Sequence, residues 1–248
     1  MRRRRLEGLV AGVRAAASAA ELASWMTEAA RALGFDYVAL VRHADLLGAA
    51  APQAALDLVA YPDPWRARLA ARRDLRDDPV LAACRRTAAP FLWSELARLG
   101  PLSTAQSKVL AEAAESGLGE GFTVPVAVPG AAAGSCSYAL APGRPVPRAE
   151  LPAAHYIGCI GFEAARRILA PEPAPPPLPR LSKRQLECLT LAAQGKSDWD
   201  IARLLGIARH TVHQHMEAAK RRYGVATRAQ LVVRALFACE IIFPEVLA

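Results

Sequence analysis

The sequence contains no Cys-x-x-Cys pair. Its five cysteines, Cys84, Cys136, Cys159, Cys188 and Cys239, are scattered. That spacing argues against a disulfide framework or a zinc site and fits reduced thiols in a cytoplasmic protein. Long hydrophobic runs are also missing. The most apolar region, 121–143, is broken by Pro125, Pro129, Gly130 and Gly134, so no membrane span is expected. The opening MRRRRLEGLVAGVRAAASAA sets a charged head before an Ala-rich run, as a secretory signal does. Glu7 and Arg14 interrupt that run, and it reads instead as an amphipathic helix with a basic tail. No nucleophile–base pair or cluster of metal ligands stands out, which argues against an enzyme and against a metal or other cofactor.

What is present is asymmetric. The 248 residues are 53% hydrophobic and carry a formal charge of +8. Residues 180–248 hold 11 Lys/Arg against 6 Asp/Glu, whereas residues 1–179 hold 20 against 17, four of the basic ones being Arg2 to Arg5. A near-neutral body followed by a basic C-terminal part implies an anionic partner for the latter. The boundary is APEPAPPPLPR (170–180), whose six prolines favour an extended, semi-rigid spacer. Domains are expected at 1–169 and 181–248.

The N-terminal part reads as mixed helix and strand. Helical spacing runs from about Leu6 to Leu33, then strand-like stretches cover 35–43 and 54–62. Helical stretches follow at 64–75, 78–88 and 103–117. Two strands joined by a Gly/Pro turn lie in 121–143, and a long final helix in 149–170. The overall class is α+β, with an N-terminal α-β-α sandwich. The C-terminal part reads as four helices. Ser182 with Gln185, and Ser197 with Asp200, are helix-start signals, while Gly195, Gly206 and Gly224 mark stops.

Three of the five histidines, His210, His213 and His215, fall in ARHTVHQHMEAAKRRYG (208–224). On a helix, Val212, Met216, Ala219 and Tyr223 form one narrow core stripe. His210, His213, Gln214, Glu217 and Arg221 point the other way, flanked by Lys220 on one side and by Thr211 and Arg222 on the other. His213 and Glu217 are spaced to share a cation, but His215 points elsewhere and no cysteine is near. A plain solvated face is the bland reading. The preceding short helix and glycine turn favour a helix-turn-helix, whose second helix enters the DNA major groove. His213, Gln214 and Glu217 would then meet base edges, and Arg209, Thr211, Lys220, Arg221 and Arg222 would meet phosphates.

From Leu181-Ser182 through Arg184, Glu187, Gly195-Lys196-Ser197, Ile201-Ala202, Leu205-Gly206-Ile207, Thr211-Val212 and Gly224-Val225 to Arg228, the C-terminal part resembles the DNA-binding domain of the LuxR family. The resemblance implies double-stranded DNA as the partner. One departure is Ala208, where the family usually caps the recognition helix with Ser; loss of such a cap typically costs ~1 kcal/mol.

LuxR-type DNA-binding domains are joined to several kinds of sensor. A phosphate-accepting receiver would open on a strand ending in paired acidic residues, which this chain lacks. Tyr61, Trp65, Asp78-Pro79, Trp93, Gly121 and Ser137 instead resemble, at matching intervals, the acyl-homoserine-lactone-binding domain of quorum-sensing members. The resemblance implies that Asp78 accepts the ligand amide N–H and that the Trp65 indole bonds the lactone carbonyl. Tyr61 and Ser137 would bond the acyl carbonyl, Trp93 would pack on the ring, and Gly121 would allow close backbone approach. Taken singly, Asp78-Pro79 is also an ordinary helix start and Trp93 an ordinary core residue. Leu69 stands where the family usually has Tyr, so the acyl side differs, and an aryl, branched or long chain is expected; a non-lactone effector stays open. The implied molecule is a homodimeric transcription factor stabilised by its small-molecule effector, with Ile157, Gly161, Ala164 and Ile168 as a dimer stripe or, alternatively, a stripe packed on the sheet. The rival reading is a ligand-independent regulator whose N-terminal domain serves for dimerisation.

Overall fold

The computed structural model describes residues 3–43, 58–71, 77–127, 133–169 and 180–247. They form two compact units, the described residues up to 169 in the first and those from 180 in the second. Of the proline-rich spacer only Arg180 lies among them, and residues 54–57 and 72–75 of the expected elements lie outside them.

The first unit opens with α1 (Arg3–Ala15) and α2 (Ala19–Leu33). The single helical run expected over 6–33 is therefore two helices. Ser18 divides them: its hydroxyl accepts from the Glu21 amide, and the Glu21 carboxylate accepts from the Ala17 amide. This reciprocal cap starts a new helix inside a run whose apolar spacing continues unbroken. Then come β1 (Tyr37–Arg42), β2 (Val59–Ala60), α3 (Asp63–Ala71), α4 (Pro79–Cys84) and β3 (Phe91–Leu92). The short α5 (Leu96–Leu99), α6 (Thr104–Glu115), β4 (Gly121–Val126), β5 (Gly134–Ala139) and α7 (Leu151–Ile168) complete the unit.

The sheet runs β2-β1-β5-β4-β3, every pair antiparallel. Strand alternation divides its two faces. Val38, Leu40, Phe122, Val124, Cys136 and Tyr138 join one large core with Leu22, Met26, Ile157 and Phe162 from α2 and α7. The residues between them, Tyr37 and Ala139 among these, face a second cluster built with α3 and α6. Helices thus cover both faces, which is the expected α-β-α sandwich. Ile157, Gly161 and Ala164 are buried inside the unit. A Cβ at Gly161 would stand 2.5 Å from the Met26 sulfur, so α7 lies hard against α2 there. The stripe expected as a dimer contact is an internal packing surface, because the first core needs an apolar lid on its helical side.

The second unit holds α8 (Lys183–Ala193), α9 (Asp198–Leu205), α10 (Arg209–Tyr223), α11 (Arg228–Phe237) and the one-turn α12 (Phe243–Val246). The two expected capping boxes form: the hydroxyls of Ser182 and Ser197 accept from the amides of Gln185 and Asp200. Gly206 and Gly224 end α9 and α10 in the left-handed conformation. The fourth helix is shorter than its apolar spacing suggests. It stops at Phe237, and Cys239 turns the chain with φ of 56°.

Candidate functional site

The second face of the sheet gathers the candidate ligand residues. Register sets three rows across β1, β5 and β4 on this face. Tyr37, Ala139 and Gly121 form the first, Ala39, Ser137 and Thr123 the second, and Val41, Ser135 and Pro125 the third. Over the first two rows lie Tyr61, Trp65 and Leu69 together with Trp93, Val109, Ala113 and Leu118. Trp65 and Leu69 reach this cluster because they sit one turn apart on α3.

Polar groups run through the apolar cluster in a chain. The Trp93 indole N–H donates to the Thr123 hydroxyl at 2.9 Å, and the Thr123 and Ser137 hydroxyls are 2.9 Å apart. The Tyr61 hydroxyl lies close to Ser137. Burial pushes the Tyr61 hydroxyl well above its ordinary pKa; the Ser137 bond opposes this and the Asp78 charge adds to it. The Asp78 charge is thus felt at Tyr61. At Gly121 a Cβ would stand 2.3 Å from the Trp93 ring, so glycine is what lets the indole lie on β4. Glu120 fixes the same corner, accepting from the amides of Ser94 and Gly121 at 3.0 Å each.

Asp78 caps α4: its Oδ1 accepts from the amides of Val80 at 2.8 Å and Leu81 at 3.1 Å, with Pro79 in the first turn. The ordinary helix-start role of Asp78 is thus real. Beyond Asp78 lies a group that sequence reasoning missed. His43 Nε2 is 3.2 Å from the Ser135 hydroxyl, and both side chains are buried. Burial, and then the Asp78 charge, push the nearby Cys84 thiol up to about 12. Burial, helped by the Arg85 charge, lowers His43 to about 4, so the imidazole is neutral at physiological pH. The alternation of Ser135 and Ser137 with Cys136 and Tyr138 was the available signal for Ser135 and Thr123; His43, just past the end of β1, offered none.

In the second unit Val212, Met216, Ala219 and Tyr223 are all buried, forming the core stripe of α10. Arg209, His210, His213, Gln214, Arg221 and Arg222 are exposed, and Thr211, Glu217 and Lys220 are half-buried. Several are already engaged. Lys220 Nζ is 2.5 Å from Glu217 Oε1 and 3.3 Å from the Ala226 carbonyl. That ammonium, and then the His213 and Arg221 charges, lower the Glu217 carboxyl pKa. Arg222 donates to the Arg180 carbonyl at 2.6 Å, tying α10 to the residue before α8. Ala208 occupies the N-cap position with no side-chain hydrogen bond. Arg228 bonds Asp198 at 2.8 Å and also the Lys196 carbonyl, bracing the start of α9. His213 Nδ1 is 4.0 Å from the same Asp198 carboxylate. Among the described residues no group of three or more His, Cys, Asp and Glu side chains is placed to hold a metal ion.

Comparison with known proteins matches residues 18–167 to the autoinducer binding domain and residues 179–235 to the bacterial regulatory proteins of the luxR family. The transcriptional activator protein BjaR1 of Bradyrhizobium diazoefficiens is 34% identical over 65% of this chain and 65% of its own length. The quorum sensing-dependent transcriptional regulator RpaR of Rhodopseudomonas palustris is 33% identical over 64% of each. The match to these relatives thus spans less than two thirds of their length. Escherichia coli SdiA has the same fold, with a TM-score of 0.60 at 22% identity over 96% of this chain and 98% of that one. No described helix is long and apolar enough to cross a membrane. With an autoinducer-binding domain followed by a helix-turn-helix domain, the chain belongs to the LuxR family of bacterial regulatory proteins.

Proposed function

We propose that this protein is a ligand-responsive transcriptional regulator of quorum-sensing type that senses an N-acyl-homoserine lactone. The observation that carries the reading is the gathering of Tyr61, Trp65, Leu69 and Trp93 on the sheet face from which the Thr123 and Ser137 hydroxyls project, with the Trp93 indole bonded to Thr123. A lactone amide offers one N–H donor and carbonyl acceptors on a mostly apolar body. A carboxylate, two hydroxyls and an indole set in apolar walls complement it. Asp78 accepts the amide N–H, Tyr61 and Ser137 meet the acyl carbonyl, and Trp65 meets the lactone carbonyl. Trp93, packed on Gly121, walls the ring.

Leu69 lies in the same cluster as Tyr61 and Trp65. It supplies hydrocarbon where the family resemblance leads one to expect a tyrosine, which favours an acyl group other than a simple straight chain. Ligand binding completes the pocket and stabilises the first unit by mass action. The stabilised protein acts in the cytoplasm as a homodimer on a palindromic promoter site. α10 of each copy lies in a major groove, His213, Gln214 and Glu217 toward bases and Arg209, Thr211, Lys220, Arg221 and Arg222 toward phosphates.

The test is mass spectrometry of small molecules that co-purify with the full chain from cells fed a mixture of acyl lactones. Retention of one acyl-homoserine lactone in about equal amount to the protein supports the reading. Folded protein that binds DNA and retains no small molecule overturns it in favour of a ligand-independent regulator.

A further inference from the structure

We propose that the arginine cluster at the start of α1 is a second, sequence-independent contact to the DNA phosphate backbone. This contact is independent of the lactone reading and rests only on the binding of duplex DNA by the second unit. Arg2 to Arg5 are four arginines in succession. The other residues up to 179 carry 16 basic and 17 acidic side chains, so the cluster is a positive pole on an otherwise balanced stretch of chain. Arg3, Arg4 and Arg5 form the first turn of α1, and all three are exposed. At 3.6 residues per turn their charges ring the helix end. No single neighbouring surface can neutralise them. Arg3 meets Glu7 at 2.8 Å, out in solvent. Among the described residues no carboxylate or carbonyl engages the guanidinium of Arg4 or Arg5.

The cluster works against the helix that carries it. Free amides make a helix N-terminus partly positive, so acidic side chains stabilise that end and basic ones oppose it. Other helices of the chain follow the rule: α2 opens with Glu21, and α9 with Asp198 and Asp200. The first turn of α1 has no acidic residue. A departure from local preference that nothing inside the unit compensates marks a surface whose partner lies outside. That partner is a polyanion, because guanidinium forks match phosphate oxygens. Duplex DNA carries one negative charge per about 1.7 Å of its axis, and the second unit already brings the chain to it. Nor is the cluster a loose tail. Leu9 and Val13 of α1 are buried in the first core, and Gly12 lies against the Trp25 ring. Arg167 of α7 donates to the carbonyls of Arg14 and Ala16 at 2.9 and 2.8 Å, tying down the far end of α1. The arginines are thus a pole fixed to the ligand-binding unit.

The test is the salt dependence of binding to a random-sequence duplex of about 40 base pairs, for the purified full chain and two variants. The first variant carries Arg2→Gln, Arg3→Gln, Arg4→Gln and Arg5→Gln; the second carries Arg2→Lys, Arg3→Lys, Arg4→Lys and Arg5→Lys. The slope of log affinity against log salt should be shallower in the Gln variant by about 0.9 for each arginine taken off a phosphate, and so by at least about 2. The Lys variant keeps the charge and should keep the slope. The Tm of the Gln variant should equal or exceed the parent's, since like charges leave a positive helix end. An unchanged slope in the Gln variant overturns the inference. A Lys variant that loses slope as the Gln variant does also overturns it, because the loss is then structural. An unchanged slope together with binding to phosphatidylserine vesicles that only the Gln variant lacks overturns it in favour of a membrane contact. A parent that binds no duplex at all overturns the DNA reading as well.

Discussion

The indole of Trp93 occupies the space that a side chain at Gly121 would fill, with ring atoms 2.3 Å from the position of a Cβ there. The same ring donates to Thr123, and through it reaches Ser137. Gly121→Ala should therefore displace the indole and break the chain. Overpacking of this kind costs about 1–3 kcal/mol. Denaturant unfolding should show that loss, and lactone affinity should fall with it. Unchanged stability would mean that the ring moves aside freely and does not hold the pocket.

Leu69 shares a cluster with Trp65 and Tyr61. Leu69→Tyr returns a hydroxyl and adds bulk to the acyl side. The native effector should bind more weakly, by roughly 1–3 kcal/mol, if it occupies that space. Straight-chain acyl lactones should gain relative to it. A reporter dose–response against straight, branched and aryl acyl lactones checks this; an unchanged rank order would remove Leu69 from the acyl wall.

His43 is lowered from its ordinary range to about 4. Between about pH 6.5 and 4 the unfolded chain takes up this proton and the folded chain refuses it, so stability falls as the pH falls through that window. From pH 7 to pH 5 the loss from this group should be about 2 kcal/mol. Unfolding followed by the fluorescence of Trp25, Trp65 and Trp93 reads it. His43→Leu should flatten the slope; an equal slope in the variant would place the titrating group elsewhere.

On α10, Glu217 is drawn to Lys220 and lies near His213 and Arg221. His213→Ala or Glu217→Ala should relax base preference, by about 1–3 kcal/mol per lost contact. Arg221→Ala should weaken binding to all sequences alike and lower the salt dependence. Equal losses on specific and random DNA for both kinds of variant would reverse the assignment of faces.

Much of this was legible in the residues. Ser182-x-x-Gln185 and Ser197-x-x-Asp200 form the caps their spacing implies, because a cap is a local interaction over three residues. The Val212–Met216–Ala219–Tyr223 stripe is buried for the same reason: helical period alone decides it. What the residues hid is long-range. Ile157, Gly161 and Ala164 read as an apolar stripe, but a stripe does not say what covers it, and α2 does. His43 meets Ser135, 92 positions away, only because β1 pairs with β5 in the register that sets Val41 beside Ser135. Ser18 with Glu21 was a visible start signal, masked by alanines that keep helical spacing on both sides.

Asp78 tests the central claim most directly, because it has a structural duty and a proposed binding one. Its carboxylate caps α4 through Oδ1. Asparagine has one acceptor oxygen where aspartate has two, so Asp78→Asn can keep the cap, a position asparagine fills about as well, or accept the ligand amide, but not both. The decisive measurement is the rise in Tm of the purified full chain on titration with acyl-homoserine lactones, for parent and Asp78→Asn. The parent should rise, while the variant should start near the parent's Tm and need more than about tenfold more ligand, as expected for a lost charge-assisted bond of roughly 1.5–3 kcal/mol. A variant that starts at a lower Tm yet responds to the same ligand concentrations as the parent would contradict the account and leave Asp78 as a helix cap alone.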